Sequence, residues 1–184
     1  MDALQKDKHY TYADYVTWGD EIRYELIDGV AYMLSAPAWE HQDISMSLSY
    51  QIRGFLKGKP CKVFAAPFDV RLNADGGDDT VVQPDLVVVC DRSKLIGTGC
   101  VGAPDVVIEI LSPSTSARDK VQKFNKYLQV GVREYWIVYP DSKTVSVHTL
   151  ADSHYVTMEY GVSDTAVSRV LEGCSVILED VFTE

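Results

Sequence analysis

An apolar β-strand buried on both faces has little room for a carboxylate, and this chain places one in each of two such runs. Asp85 opens the run Leu86-Val87-Val88-Val89-Cys90, and Glu109 sits inside Val106-Val107-Ile108-Glu109-Ile110-Leu111. A carboxylate among β-branched neighbours is costly to bury unless a partner compensates its charge. A divalent cation is one such partner, because Asp and Glu oxygens suit Mg2+. Side chains alternate along a strand, so Asp85 shares a face with Val87 and Val89, and Glu109 with Asp105, Val107 and Leu111. If the two strands are neighbours, both acids point into one pocket. There they would bind Mg2+ or Mn2+, polarise a phosphate and acidify a bound water. The same spacing also fits a strand-initiating Asp85 and a salt-bridged Glu109.

A lysine-bearing helix follows the second acid. The pattern predicts it over residues 118–130, stopping at Gly131. Ideal helical angles put Val121, Phe124 and Leu128 on the buried stripe, with Lys120 and Tyr127 flanking it. Lys123 lies farther round, and Lys126 points to solvent. These angles slightly favour Lys120 over Lys123 as the lysine that reaches inward. Either stem can lie along apolar surface and bring its ammonium to a pocket, where it would steady a charged transition state. The same pattern fits a plain solvated helix. Tyr127 is placed to orient the lysine by a hydrogen bond, or to serve as a core aromatic.

The rest of the chain supplies a scaffold. Thr11 caps a short helix over residues 12–16. Asp28-Gly29 turns a hairpin within residues 24–34. A helix is predicted over 41–56, with Ile44, Leu48, Ile52 and Phe55 at helical spacing. Strands are predicted over 62–66, 68–72, 81–82, 85–90, 105–111, 134–139 and 144–150, with β-rich sequence beyond. Asp69 and Arg71 share a strand face and form a local pair in this reading. The polar stretch 73–79 lacks the spacing of a calcium loop and reads as a turn. This order gives an α/β fold, a sheet with a helix on each side. Gln83, just before Asp85, could contact a metal-bound water or a phosphate, or be an ordinary strand residue.

Chain-wide properties narrow the function classes. A length of 184 residues fits one domain, 1–184. No apolar run reaches the ~18 residues of a membrane span, and no apolar leader is evident. The expected place is therefore the cytoplasm, with no membrane partner. The net charge of −10 argues against a broad basic nucleic-acid face but leaves room for a local basic cleft or a metal. Cys61, Cys90, Cys100 and Cys174 form no zinc pattern and are expected to be reduced thiols. No GxSxG or Walker motif competes with the acid pair. A homodimer is compatible with all of this.

Four motifs occur in order: Tyr24-Glu25-Leu26-Ile27-Asp28-Gly29, Gln83-Pro84-Asp85-Leu86-Val87-Val88-Val89, Glu109-Ile110-Leu111-Ser112-Pro113-Ser114-Thr115 and Gly131-Val132-Arg133-Glu134-Tyr135-Trp136-Ile137-Val138. Together they resemble the Uma2 family of restriction endonuclease-like proteins, also described as DUF820, over residues 11 to 150. The resemblance implies a PD-(D/E)XK nuclease: a restriction-endonuclease-like core, with a mixed central sheet flanked by helices, an added N-terminal hairpin and C-terminal strands. It makes Asp85 the first aspartate of the motif and Glu109 its second acid, both metal ligands. It implies Mg2+ (or Mn2+) as cofactor and DNA as substrate. The chain departs from the standard motif in having Leu111 where a lysine usually stands. In the Uma2 pattern the lysine moves to the following helix, which points to Lys123 rather than Lys120. Glu25 and His41 also fall at family positions, Glu25 as a further acid near the metal and His41 facing a phosphate or base, or else serving a structural or capping role. The alternative on the same fold is a non-catalytic nucleic-acid or protein binding module.

Overall fold

Strands built from unbroken apolar runs pack on both faces, and the two acid-bearing runs do so here. The structure is a computed structural model describing residues 8–19, 22–112 and 118–183. Strands β6 (Leu86–Val89) and β9 (Val106–Ile110) are buried at every position. They pair antiparallel in the middle of a six-stranded mixed sheet. Its remaining strands are β3 (Lys62–Ala65), β10 (Glu134–Tyr139), β11 (Thr144–Ala151) and β12 (His154–Gly161). The order is β12-β11-β10-β9-β6-β3, with β10 parallel to β9 and the other neighbours antiparallel.

Helix α2 (Trp39–Phe55) covers one face of this sheet through Ile44, Leu48 and Ile52. The C-terminal segment joins it there, including the small hairpin of β13 (Thr165–Val167) and β14 (Ser175–Ile177). The opposite face carries Val87, Val89, Val107, Tyr135 and Ile137. It packs against a second six-stranded sheet, of order β2-β1-β5-β4-β8-β7. Those strands are β1 (Tyr24–Ile27), β2 (Val30–Met33), β4 (Asp69–Arg71), β5 (Val81–Val82), β7 (Leu95–Ile96) and β8 (Gly99–Val101). Burying each such Val, Leu or Ile contributes about 1.5–3 kcal/mol, which sets the scale of adhesion between the layers. Among the described residues no helix is long and apolar enough to cross a membrane.

The mixed sheet flanked by helices is present, and the N-terminal hairpin extends into a whole second sheet. Asp28 and Gly29 turn that hairpin with φ of 51° and 74°, the doubly positive geometry that Asp-Gly favours. Helix α1 (Tyr12–Tyr15) begins at Thr11, whose backbone N–H donates to the Asp14 carboxylate at 3.0 Å. Residues 81–82 and 86–89 are separate strands in different sheets. The segment Gln83-Pro84-Asp85 is thus the crossing between the two layers.

Three expectations are corrected. Cys61 and Cys90 flank the β3–β6 ladder on opposite strands and form a disulfide, leaving Cys100 and Cys174 as buried thiols. Asp69 does not pair with Arg71: the Arg71 guanidinium forks onto Asp78, and Asp69 instead accepts from the Tyr15 hydroxyl at 2.9 Å. Lys126 is partly buried, its side chain 20% exposed, and pairs with Asp28 at the hairpin turn. Pro113, Ser114 and Thr115 of the third motif lie outside the described residues.

His148 on β11 shows a further consequence of this packing. Its Nδ1 lies 2.7 Å from Thr157 Oγ1, and Phe124 meets the ring edge-on at 5.1 Å. Burial lowers its pKa from the ordinary 6.5, against a smaller opposing pull from Glu159. The unfolded chain therefore takes up this proton at higher pH than the folded one. The stabilising contribution is full above about pH 6.5 and is lost as pH falls below it. Between pH 7.5 and 5.5 the urea midpoint of wild type should fall relative to that of His148→Phe.

Candidate active site

The β6–β9 register brings the two strand acids together. Leu86 pairs with Ile108, so one step further sets Asp85 opposite Glu109, on the face turned toward the second sheet. Cross-strand partners on one face have their Cβ atoms within about 5.5 Å. Asp85 is anchored from below by the Ile110 N–H, which donates to its Oδ2 at 2.6 Å. Both acids line a cleft of about 760 Å³ where the two sheets, the start of α2 and the 118–123 helix meet.

Lys123 is the cation of this cleft. Its Nζ lies 2.7 Å from Glu25 Oε1, 2.9 Å from Glu109 Oε1 and 3.2 Å from Asp119 Oδ1. All four side chains are nearly excluded from solvent, with exposures of 3% for Lys123, 0% for Glu25, 3% for Glu109 and 2% for Asp119. Burial alone would lower the pKa of the ammonium. The fields of Glu109, Glu25 and Asp119 outweigh burial and hold its pKa well above the usual lysine value. For Glu109, burial comes first and raises the pKa; Lys123 opposes this, and Asp119, Asp85 and Glu25 reinforce it. The net direction is strongly upward. Three carboxyl groups crowd one lysine here, and that crowding adds to the upward shift of Glu109.

The helix that delivers Lys123 is not a plain α-helix. Residues Arg118–Lys123 wind as a π-helix, and α3 (Phe124–Val130) continues it to Gly131 in the left-handed region at φ 81°. The wider first turn shifts the angles on which the prediction rested. The inward stripe is Asp119, Lys123 and Tyr127, each buried, while Val121 is 58% exposed. Lys120 is exposed and reaches over the Tyr139 ring instead of entering the cleft. Lys123 is thus the inward lysine and Lys120 is not. Tyr127 does not bond the lysine: its hydroxyl donates to Glu109 Oε1 at 2.9 Å.

The remaining candidates also line the cleft. His41, in the first turn of α2, places Nε2 3.2 Å from Asp85 Oδ2 and 3.1 Å from the Ile110 carbonyl oxygen. Burial lowers its pKa, but Asp85 and the Ile110 carbonyl raise it more, and the net shift is upward. Gln83 donates its backbone N–H to Glu25 Oε1 at 2.9 Å, while its side-chain amide turns to Asp69 and Tyr15 at 2.9 and 3.1 Å. Asp119 was missed in the sequence. Its signal was the four-residue spacing to Lys123, the interval at which oppositely charged helix residues meet. Glu134, a further buried strand acid, has a different fate: it accepts from Trp136 Nε1 at 2.8 Å and from the Arg169 N–H at 2.7 Å, on the other face of the sheet.

Among the described residues no three or more His, Cys, Asp or Glu side chains form a ready-made metal cage. The donor chemistry nonetheless fits Mg2+, which is commonly held by one or two carboxylates, with waters and substrate phosphates completing its shell. Asp85 Oδ2 and the Ile110 carbonyl already converge on one point, taken here by the His41 ring nitrogen.

Two stacked sheet layers with carboxylates paired across central strands, and a helix-borne lysine beside them, make a nuclease-like fold. The family described as "Putative restriction endonuclease", Uma2, matches residues 12–179, and the chain belongs to that family. A crystal structure from Anabaena variabilis ATCC 29413, of "a putative nuclease belonging to DUF820", superposes with a TM-score of 0.77 at 21% identity, covering 94% of this chain and 97% of that one. "Uncharacterized protein slr1290" from Synechocystis sp. (strain ATCC 27184 / PCC 6803 / Kazusa) is 27% identical over 155 residues, 82% of this chain and 80% of its own length.

Removing one partner of a buried ion cluster strands the others. Lys123→Met should therefore cost about 3–5 kcal/mol in urea unfolding, whereas Lys120→Met should stay within about 0.5 kcal/mol of wild type.

Proposed function

We propose that the protein is a metal-dependent endonuclease that hydrolyses DNA phosphodiester bonds. The observation that carries this reading is Asp85 set opposite Glu109 on adjacent central strands, in an open cleft that also contains the Lys123 ammonium. Asp85 and Glu109 would hold Mg2+ or Mn2+ between them. When bound, such an ion supplies Lewis-acid polarisation of the phosphate and a more acidic water.

The chain's own groups do the rest. Lys123 stays protonated, fixes the Glu109 carboxylate and presents positive charge where the phosphate oxygens gain negative charge. Tyr127 holds the same Glu109 oxygen from the other side. His41 and the Ile110 N–H orient Asp85. Glu25 secures Lys123 and, through the Gln83 N–H, ties the acid cleft to the crossing segment. In the reaction water adds to phosphorus and gives up a proton to solvent, the P–O bond to one sugar breaks, and the leaving alkoxide takes up a proton from solvent.

A second reading has one observation in its favour. Lys123 is matched by three carboxylates, as a purely structural cluster would have it. A binding module with a decayed site would look the same there. Supercoiled plasmid incubated with Mg2+ or Mn2+ separates the two readings. The nuclease reading predicts nicking by wild type, and Asp85→Asn should lower it by about 100-fold or more, the scale of losing an electrostatic catalytic group. Wild type that leaves plasmid, linear duplex and single-stranded DNA intact with both metals would support the binding module instead.

A further inference from the structure

A second cavity of about 450 Å³ adjoins the acid cleft, a size within the ~300–1,000 Å³ common for small-ligand sites. Four aromatic rings line it: Tyr12, Tyr15, Trp18 and Tyr24. Trp18 is their hub, with ring centroids 5.5 Å from Tyr15 and 5.3 Å from Tyr24. Arg71 holds Tyr12 from behind, 4.1 Å from its ring centroid. Arg23 and Gln83 line both the cavity and the cleft, so the two spaces share a border.

The polar end of the cavity is rich in acceptors. Asp69 Oδ1 accepts from Tyr15 and from Gln83 Nε2, both at 2.9 Å, which leaves Oδ2 with no partner among the described residues. Gln83 Oε1, buried beneath the cavity wall, likewise has no partner among the described residues, and a base would reach it by a small turn of the amide. Burial and Asp69 keep the Tyr15 phenol protonated, so its hydrogen is committed to Asp69. Arg23, at the border, has no ion-pair partner among the described residues, in contrast to Lys123.

We infer that this cavity binds one unpaired nucleobase, a guanine, of the strand whose phosphate lies in the acid cleft. The aromatic faces stack with the base, as they do in single-strand binding generally. The Asp69 and Gln83 acceptors match the adjacent N1–H and N2–H donors of the guanine edge; thymine offers a single N–H flanked by acceptors. Arg23 takes the phosphate between the base and the cleft, which supplies local positive charge on a chain of net charge −10. A base paired and stacked in a duplex cannot enter without being extruded, so single strands or frayed ends are the favoured substrates. The inference rests on the nuclease reading for the identity of the cleft, but its test needs no cleavage.

The test is fluorescence anisotropy with the full-length protein in Ca2+, using a labelled oligothymidylate, the same strand with one central guanine, and that strand annealed to its complement. The guanine strand should bind about tenfold tighter than either of the others, the scale of one good bidentate base contact. Asp69→Asn keeps an oxygen for Tyr15 and Gln83 but should abolish the preference, because its free end becomes a donor. Arg23→Ala should weaken both single strands by the same factor. Equal affinity of wild type for the two single strands, or a preference that survives in correctly folded Asp69→Asn, would overturn the inference. Plasmid nicking without the preference would overturn the base pocket alone. The preference without nicking would leave the pocket standing and end the nuclease reading.

Discussion

Everything at the centre of this molecule depends on one buried ammonium. Lys123 touches carboxyl groups from three different elements: Glu25 on β1, Glu109 on β9 and Asp119 one helical turn before it. None of the four could sit at its observed burial alone, since an isolated buried charge costs several kcal/mol. Together they clamp the second sheet, the central sheet and the 118–130 helix to one another. The clamp also sets the chemistry, because three carboxyl groups share one ammonium.

The two strand acids divide the work between them. Glu109 is held from both sides, by Lys123 and Tyr127, and is tied to the rigid centre of the sheet. Asp85 lies at the start of β6, where the chain crosses from one sheet to the other, and faces the open side of the cleft. One acid is thus fixed by the core while the other looks toward solvent. Gln83, two residues earlier, links this crossing to Glu25 by its backbone and to the aromatic cavity by its side chain. A short segment with no regular structure of its own connects the charged cluster to its surroundings.

Much of this was legible in the sequence. The apolar runs around Asp85 and Glu109 gave both strands and their shared face, and the Asp28-Gly29 turn and the α2 stripe followed from local rules. The lysine was harder to read from periodicity. Angles for an ideal α-helix favoured Lys120, because the π-helical turn at residues 118–123 changes the angle per residue and leaves no plain sequence mark. Only the family resemblance pointed to Lys123. Long-range pairings were also invisible: Asp69 meets Tyr15 across 54 residues, and Cys61 meets Cys90 through strand register. Asp119 could have been found by its spacing, but its charge alone reads as a solvated helix start.

The most direct test of this account is a crystal grown or soaked with Mn2+ and measured for anomalous scattering. A peak is expected between the carboxylates of Asp85 and Glu109, close to the Ile110 carbonyl oxygen, with the His41 ring displaced from the position it holds here. An empty cleft at saturating Mn2+, with His41 still on Asp85 and Lys123 still bound to its three acids, would contradict it and leave the cluster as a structural clamp.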